Sequence, residues 1–170
     1  MLTYNIHIKK AFTLIELLVT ISIIGILAGI VSVNVGNSQD RARDAKRKSD
    51  ISAIKTAIEM YKDGNGGNPI GVSGAWWGEI SNNSPFDQLL SYLSLIPSDP
   101  KTGWKYYYGK GYNLSPSGDS VVPSSDATKF VICSKLENEN DSDYKSNITN
   151  PESPPESPND LILNYCVSGV

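Results

Sequence analysis

Few side chains in this sequence could take part in catalysis. His7 is the only histidine, and Cys133 and Cys166 are the only cysteines. A Ser-His-Asp triad, a Cys-His dyad or a multi-histidine zinc site therefore cannot be assembled from the body of the chain. A carboxylate pair of the glycosidase type is compatible with the composition, but no spacing singles one out. The sequence predicts that the protein is not an enzyme.

Glu16 is the residue whose surroundings most need a chemical explanation. It is the single charged side chain in the apolar run of residues 12–35. A carboxylate costs about 2.5 kcal/mol or more at the centre of a membrane, so it is normally paired or functional there. Cutting the chain just before Phe12 would create a free amino group about one helical turn from Glu16. The alternative is a glutamate that lies at the level of the lipid headgroups.

The element that carries Glu16 is a long apolar helix. Residues 12–35 would measure about 36 Å as an α-helix, which is enough to cross a bilayer. Apolar residues occupy every side of this helix, so it needs lipid or other helices around it. Lys9 and Lys10 precede the run as in a secretory signal, but the run is longer than the apolar part of an ordinary cleaved signal. A buried helix of a soluble domain is the alternative.

Residues 36–63 continue the helix with a different pattern. No proline interrupts residues 12–63, and large apolar residues recur at helical spacing at Ile51, Ile54, Ile58 and Tyr61. This face predicts that the second half of the helix packs on a domain, and Gly64 is expected to end it. The basic residues of the run 41–48 alternate with acidic ones. This favours a solvated face or salt bridges between subunits over a patch for DNA or lipid.

Residues 64–170 predict a small α+β head. The sequence Ser84-Pro85-Phe86-Asp87 supplies an N-cap and a first-turn proline for a short helix that stops before Pro97. Strand candidates rich in aromatic and branched residues follow at residues 104–108, 129–136 and 161–167. An antiparallel sheet packed on the amphipathic half of the long helix is the architecture that these elements favour.

Charge argues against nucleic acid as a partner. The chain has 15 Lys and Arg against 18 Asp and Glu, a net charge of −3, which leaves too few cations to neutralise phosphates. Trp76, Trp77, Trp104 and the tyrosines at 106–108 could stack on sugars or bases, but such density is more typical of cores and strands. We predict no specific nucleic-acid partner.

The N-terminus resembles a known processing signal. Lys9-Lys10-Ala11, then Phe12-Thr13-Leu14-Ile15-Glu16-Leu17 and the apolar helix, are similar to the class III signal of type IV pilins and type II secretion pseudopilins. The resemblance implies that a prepilin peptidase cuts between Ala11 and Phe12 and methylates the new amino group of Phe12. It also implies that Glu16 pairs with the N-terminus of a neighbouring subunit. The sequence departs from the pattern in having Ala11 where glycine is usual and in lacking the proline common in the membrane helix.

Parts of the head resemble the same family more loosely. Residues 95–103, 106–108 and 130–137 are similar to heads of the major-pseudopilin subgroup. The resemblance implies a type IV pilin-like α+β fold in which a long N-terminal helix packs on a small C-terminal antiparallel sheet. Its parts would be a cleaved cytoplasmic leader (1–11), a transmembrane and filament-core helix (12–35), its amphipathic continuation (36–63), and an extracytoplasmic head (64–170) with a variable acidic, proline-rich loop (137–160).

The leading functional hypothesis is a structural prepilin subunit that polymerises into a type IV pilus-like filament. Its partners would be prepilin peptidase, other pilin subunits, and an assembly platform with its ATPase. Before assembly it would lie in the inner membrane, in contact with lipid, with its head outside the cytoplasm. One alternative is a pseudopilin of a type II secretion or DNA-uptake system. A second is a membrane-tethered binding domain, whose N-terminus would stay uncut and whose Glu16 would be replaceable.

Two further expectations follow from an extracytoplasmic head. Cys133 and Cys166 lie in two strand candidates, and such a compartment permits a disulfide between them; two buried thiols are the alternative. Some pseudopilins bind calcium in the head, and oxygen ligands are available at Glu137, Glu139, Asp141 and Asp143. This stretch lacks the glycine and the ligand spacing of an EF-hand loop, which favours a solvated loop. No other cofactor is expected.

Overall fold

The computed structural model describes residues 12–71, 77–146, 148 and 163–169, with the backbone alone for residues 31–35 and Trp77. The predicted leader, including Lys9, Lys10 and Ala11, lies outside the described residues, as does most of the proline-rich loop. The chain divides into two compact units, Met1–Gln39 and Asp40–Val170, which we call the first unit and the second unit.

One α-helix, α1, runs from Leu14 to Gly64 and contributes residues to both units. It begins slightly later than the predicted start and ends at the predicted glycine. The amide of Gly67 donates a hydrogen bond of 2.9 Å to the carbonyl of Lys62. Gly66 and Gly67 have φ angles of 65° and 84°, so glycine at both positions lets the chain turn away from the last helical turn without strain.

The apolar side chains of residues 12–30, in the first unit, are exposed. Their exposed fractions reach 81% at Leu14 and 84% at Phe12, and even the most covered, Val19, is 49% exposed. An added Cβ at Gly25 or Gly29 would meet no atom within 4 Å. Within the residues that the structure describes, no helix has the length and hydropathy that crossing a membrane requires.

The second unit contains two antiparallel sheets. The strands are Trp77–Glu79 (β1), Tyr107–Lys110 (β2), Tyr112–Leu114 (β3), Val121–Pro123 (β4), Phe130–Ser134 (β5) and Tyr165–Gly169 (β6). The larger sheet has the order β1-β2-β5-β6, and β3 pairs with β4. The three predicted strands are confirmed as β2, β5 and β6 with shifted bounds, whereas β1, β3 and β4 were not predicted.

The first hydrophobic core joins α1 to the larger sheet. Ile51, Ile54 and Ile58 are fully buried and pack with Tyr108 and Phe130. The predicted isoleucine face of the helix is therefore confirmed, as is the antiparallel sheet on which it packs.

A second core lies on the other face of the sheet. Successive side chains along a strand point to opposite faces of the sheet. Val131 and Cys133 therefore lie on the face opposite the first core, where they pack with Tyr112, Val121 and Leu163. The larger sheet is thus covered on both faces, and β5, which contributes to both cores, is buried along its whole length.

The segment after Ser84 forms a 3-10 helix, Phe86–Ser91. Pro85 stands at the N-cap position and makes no side-chain cap hydrogen bond, so the predicted serine cap and first-turn proline are wrong. Phe86 and Leu89 are buried in the first core. Burial of these two side chains, rather than capping, holds this short element in place.

Candidate assembly site

Glu16 lies in the first turn of α1, where it forms a capping box with Thr13. The amide of Thr13 donates to Glu16 Oε2 at 2.8 Å, and the hydroxyl of Thr13 donates to the same oxygen at 2.7 Å. In return, the amide of Glu16 donates to Thr13 Oγ1 at 3.3 Å. Both side chains are exposed. The Thr-x-x-Glu spacing marks such a box in a sequence, but it was not predicted, because the charge of Glu16 alone does not reveal a cap.

The capping box holds the Glu16 carboxylate through one of its two oxygens, Oε2. Among the described residues, Oε1 of Glu16 accepts no hydrogen bond. Phe12, which would carry the new amino group, immediately precedes Thr13 and is 84% exposed. The site therefore presents a helix N-terminus, an anchored carboxylate and one uncommitted carboxylate oxygen on an exposed apolar segment.

A buried ion network in the second unit centres on Arg47, which is 0% exposed. Its Nε and Nη2 donate to the two carboxylate oxygens of Asp99 at 2.8 and 2.9 Å. Its Nη1 donates to Asp44 at 2.6 Å and to Glu137 at 2.8 Å. Burial by itself would lower the pKa of Arg47, but the hydrogen bonds to Asp99, Glu137 and Asp44 outweigh burial and raise it. The guanidinium therefore stays charged inside the protein.

Glu137 joins three cations in the same network. Arg43 holds both of its oxygens, at 2.7 and 2.9 Å, and Lys101 donates at 2.8 Å. The hydrogen bond from Arg43 lowers the pKa of Glu137 well below its ordinary range; burial opposes this shift, and Lys101 and Arg47 reinforce it. Asp44 accepts hydrogen bonds from the backbone amide of Glu137 at 3.0 and 3.1 Å. The network thus ties two loops of the second unit to α1.

This network corrects the interpretation of residues 41–48 as a solvated face or as salt bridges between subunits. Asp44 and Arg47 are buried and bond within one chain. Their positions continue the helical spacing of Ile51 and Ile54, so they lie on the same side of α1 as the core isoleucines. Arg41, in contrast, is exposed.

Three of the four calcium candidates face cations. Glu137 is paired as described, and Lys48 bonds to both Asp141 and Asp143, the latter at 2.7 Å. Glu139 is exposed. In the part of the chain that the structure describes, no group of three or more His, Cys, Asp or Glu side chains could hold a metal ion. Calcium binding stays a prediction.

Cys133 and Cys166 form a disulfide, as predicted. They are opposite each other in the register of β5 and β6, with 33 residues of sequence separation. A closed loop of this length stabilises a fold by about 4 kcal/mol in the chain-entropy model. The disulfide fastens β6, an edge strand, to the centre of the sheet.

Comparison with known proteins identifies the class to which these features belong. A family described as "Prokaryotic N-terminal methylation motif" matches residues 7–32, which include Phe12 and Glu16. The chain therefore carries a prokaryotic N-terminal methylation motif, and the resemblance to type IV pilins and pseudopilins is confirmed.

The relatives extend this similarity into the second unit. Type II secretion system core protein G of Klebsiella michiganensis is 31% identical over 126 residues, 69% of this chain and 89% of the relative. The Pseudomonas aeruginosa protein of the same name is 32% identical over 130 residues, 70% and 92% of the two chains. The Escherichia coli protein is 41% identical over 118 residues, 65% and 74%. No solved structure matches significantly.

The chain therefore belongs to the type IV pilin and pseudopilin family, as a relative of type II secretion system core protein G. Members of this family are structural subunits, so the protein is not an enzyme. The names of the relatives favour the pseudopilin alternative over the pilus subunit predicted first from the sequence.

Proposed function

We propose that this protein is a pseudopilin subunit of a type II secretion system. Two observations carry the proposal: the similarity to core protein G covers about two thirds of the chain, and residues 7–32 match the N-terminal methylation motif. Prepilin peptidase cuts between Ala11 and Phe12 and methylates Phe12. The processed subunit then assembles with other subunits under the action of an assembly platform and its ATPase.

Glu16 is the assembly residue in this proposal. Its carboxylate is held at the start of α1 by Thr13, with Oε1 uncommitted among the described residues. The amino group of Phe12 in a neighbouring copy pairs with this oxygen when two helices pack in register. In apolar surroundings a charge without its partner is strongly destabilising. Only the register that brings the Phe12 amino group to Glu16 pairs both charges, so the pair selects that register between copies.

The exposed apolar part of α1 supplies the driving force. Side chains from Phe12 to Ile30 remain about half exposed or more in the single chain. Lipid covers them before assembly, with the second unit outside the cytoplasm, and other copies cover them afterwards. Assembly therefore exchanges lipid contacts for helix contacts, and the Glu16 pair provides specificity.

The processing step is tested by the N-terminal mass of the protein purified from membranes of a host with prepilin peptidase and of one without it. We expect a chain that begins with N-methylated Phe12 in the first host only. Retention of residues 1–11 in both hosts would contradict the proposal and favour a membrane-tethered domain.

The secretion role is tested by complementation in a type II secretion strain that lacks core protein G. We expect the gene to restore export of the secreted proteins without long surface fibres. Surface fibres with no restored export would instead show a pilus subunit.

A further inference from the structure

The segment that follows α1 has a sequence suited to a spontaneous reaction of the chain with itself. Residues 63–69 read Asp-Gly-Asn-Gly-Gly-Asn-Pro, and Asn65 is the only asparagine in the sequence that precedes a glycine. The carboxamide of an asparagine is open to attack by the backbone nitrogen of the next residue. Glycine offers that nitrogen without a side chain to obstruct the approach. Asn65 and Gly66 are both exposed, so water has access to them.

The backbone nitrogen of Gly66 is uncommitted. The amides of Asn65 and Gly67 each donate to the carbonyl of Lys62, at 3.0 and 2.9 Å. The Gly66 amide between them donates no hydrogen bond within the described part of the chain. The space beside the Gly66 Cα is also open, since an added Cβ would meet no atom within 4 Å. The attacking nitrogen is therefore exposed and unpaired in the folded chain.

The carboxamide of Asn65 is held by the end of α1. Its Nδ2 donates to the carbonyl of Tyr61 at 2.8 Å, about one helical turn back. This bond satisfies one of the carbonyls that a helix leaves without a partner at its C-terminus. The carboxamide must release Tyr61 before its Cγ can meet the Gly66 nitrogen. The end of a helix opens more readily than its middle, so this release does not require global unfolding.

We propose that Asn65 is a site of spontaneous deamidation, at a rate set by opening of the last turn of α1. The Gly66 nitrogen bonds to Cγ of Asn65 and gives up its proton, while the Cγ–Nδ2 bond breaks and ammonia leaves. The product is a succinimide ring. Water then adds to either carbonyl of the ring and opens it, which leaves an aspartate or an isoaspartate at position 65. The net reaction consumes one water, releases one ammonia and needs no other reactant.

Either product weakens the end of α1. A carboxylate cannot donate to the carbonyl of Tyr61, and it places negative charge at a helix C-terminus, where the helix dipole disfavours it. An isoaspartate also lengthens the main chain directly before the turn at Gly66 and Gly67. Tyr61 packs on the first core, and the segment after the turn leads to Ile70, which is fully buried. The reaction is therefore an irreversible, age-dependent change that loosens one end of the first core.

The test follows the full chain in neutral detergent at mildly alkaline pH. Mass spectrometry of the tryptic peptide that begins at Asp63 locates the gain in mass, and labelling by protein isoaspartyl methyltransferase detects isoaspartate. We expect Asn65 to react at least tenfold faster than Asn68 or Asn82 in the same peptide. Asn68 is the internal control, because Pro69 after it has no N–H and cannot close the ring. Equal rates at Asn65 and Asn68, or no reaction at Asn65, would overturn the proposal.

The role of the helix end is tested by the same measurement on the chain unfolded in urea. Unfolding removes the hydrogen bond between Asn65 and Tyr61, so Asn65 should react several times faster there than in the folded chain. Equal rates in the folded and unfolded chains would contradict control of the reaction by α1.

The consequence for stability is tested by Asn65→Asp, which reproduces one of the two products. It should lower the midpoint of thermal unfolding by about 2–5 °C. Asn82→Asp is the matched control, because it adds the same charge at an exposed position outside α1. It should change the midpoint by less than about 1 °C. Equal shifts in the two variants would contradict a specific effect at the end of α1.

Discussion

The apolar side chains of residues 12–30 in the first unit are exposed, whereas the second unit buries most of its described apolar side chains and several of its charges. Leu14 is 81% exposed in the first unit, while Arg47 in the second is fully buried with its carboxylate partners. Folding normally produces the opposite of what the first unit shows. We infer that the second unit is complete within one chain, and that other molecules cover the first.

The largest effect is expected from removing the charge at Glu16. We expect Glu16→Ala to abolish assembly while the thermal unfolding of the second unit stays unchanged, because the hydrogen bonds of Glu16 are local ones to Thr13. Sedimentation of sheared filaments measures assembly, and circular dichroism follows unfolding.

Thr13→Val is the control for the cap. It removes the Thr13 hydroxyl from the capping box but keeps the charge of Glu16, so it should reduce assembly only partly. Full assembly by Glu16→Ala would show that the charge has no role in the first unit.

The completeness of the second unit is tested by Arg47→Ala. This change leaves Asp44, Asp99 and Glu137 without their shared buried cation, so the free energy of unfolding should fall by about 3–5 kcal/mol. Denaturant titration of the purified chain measures the loss. Arg41→Ala, at an exposed position of the same helix, should change it by less than about 0.5 kcal/mol. Equal effects of the two changes would contradict a buried network.

Glu137→Gln tests whether the buried charges stabilise the second unit, because its effect on the free energy of unfolding should depend on pH. The pKa of Glu137 is lowered in the folded state from an ordinary value of 4.5. A carboxylate with a depressed folded pKa contributes stability above its unfolded pKa, and the contribution is lost as pH falls through the folded pKa. We therefore expect the variant to be less stable by about 2–3 kcal/mol near pH 7.

The gap between Glu137→Gln and the unaltered protein should be constant above about pH 5.5 and should shrink as pH falls below about 4.5. Unfolding titrations at several pH values measure it. A gap that does not change with pH would show that Glu137 stabilises the second unit through packing rather than through charge.

The smallest effect is expected at Gly169 in β6. A Cβ there would lie 2.1 Å from ring atoms of Phe130, so Gly169→Ala should cost about 1–3 kcal/mol through overpacking of the core. Gly71→Ala, where an added Cβ meets nothing within 4 Å, should be nearly neutral. Calorimetry of both variants compares them, and an equal melting temperature would refute the close contact at Phe130.

The elements with strong periodic patterns could be predicted from the sequence. The spacing of Ile51, Ile54 and Ile58 predicted the buried face of α1. The long apolar run predicted the part of α1 that needs lipid or other helices around it. Strands β1, β3 and β4 span three residues each, too few for an alternating pattern to be recognised. Their positions depend on pairing partners that only the folded chain brings together.

The candidate site was predicted in its chemistry but not in its local geometry. Glu16 was identified because a lone carboxylate in an apolar run needs a partner. Its hydrogen bonds with Thr13 are indicated in the sequence only by the Thr-x-x-Glu spacing. Arg47 was assigned to a solvated face because its partners Asp99 and Glu137 are 52 and 90 positions away in sequence. No local pattern reports which distant carboxylates will meet a buried cation.

The most direct test of the account is cross-linking between copies through the first unit. Ile24 is 64% exposed in the single chain, so Ile24→Cys places a thiol on the surface that other copies should cover. In membranes of a host with the complete secretion system, oxidation should produce a disulfide-linked dimer of subunits. The dimer should disappear when Glu16→Ala is added. A dimer that persists without Glu16, or only monomer in both cases, would contradict the claim that the first unit is completed by other copies under the control of Glu16.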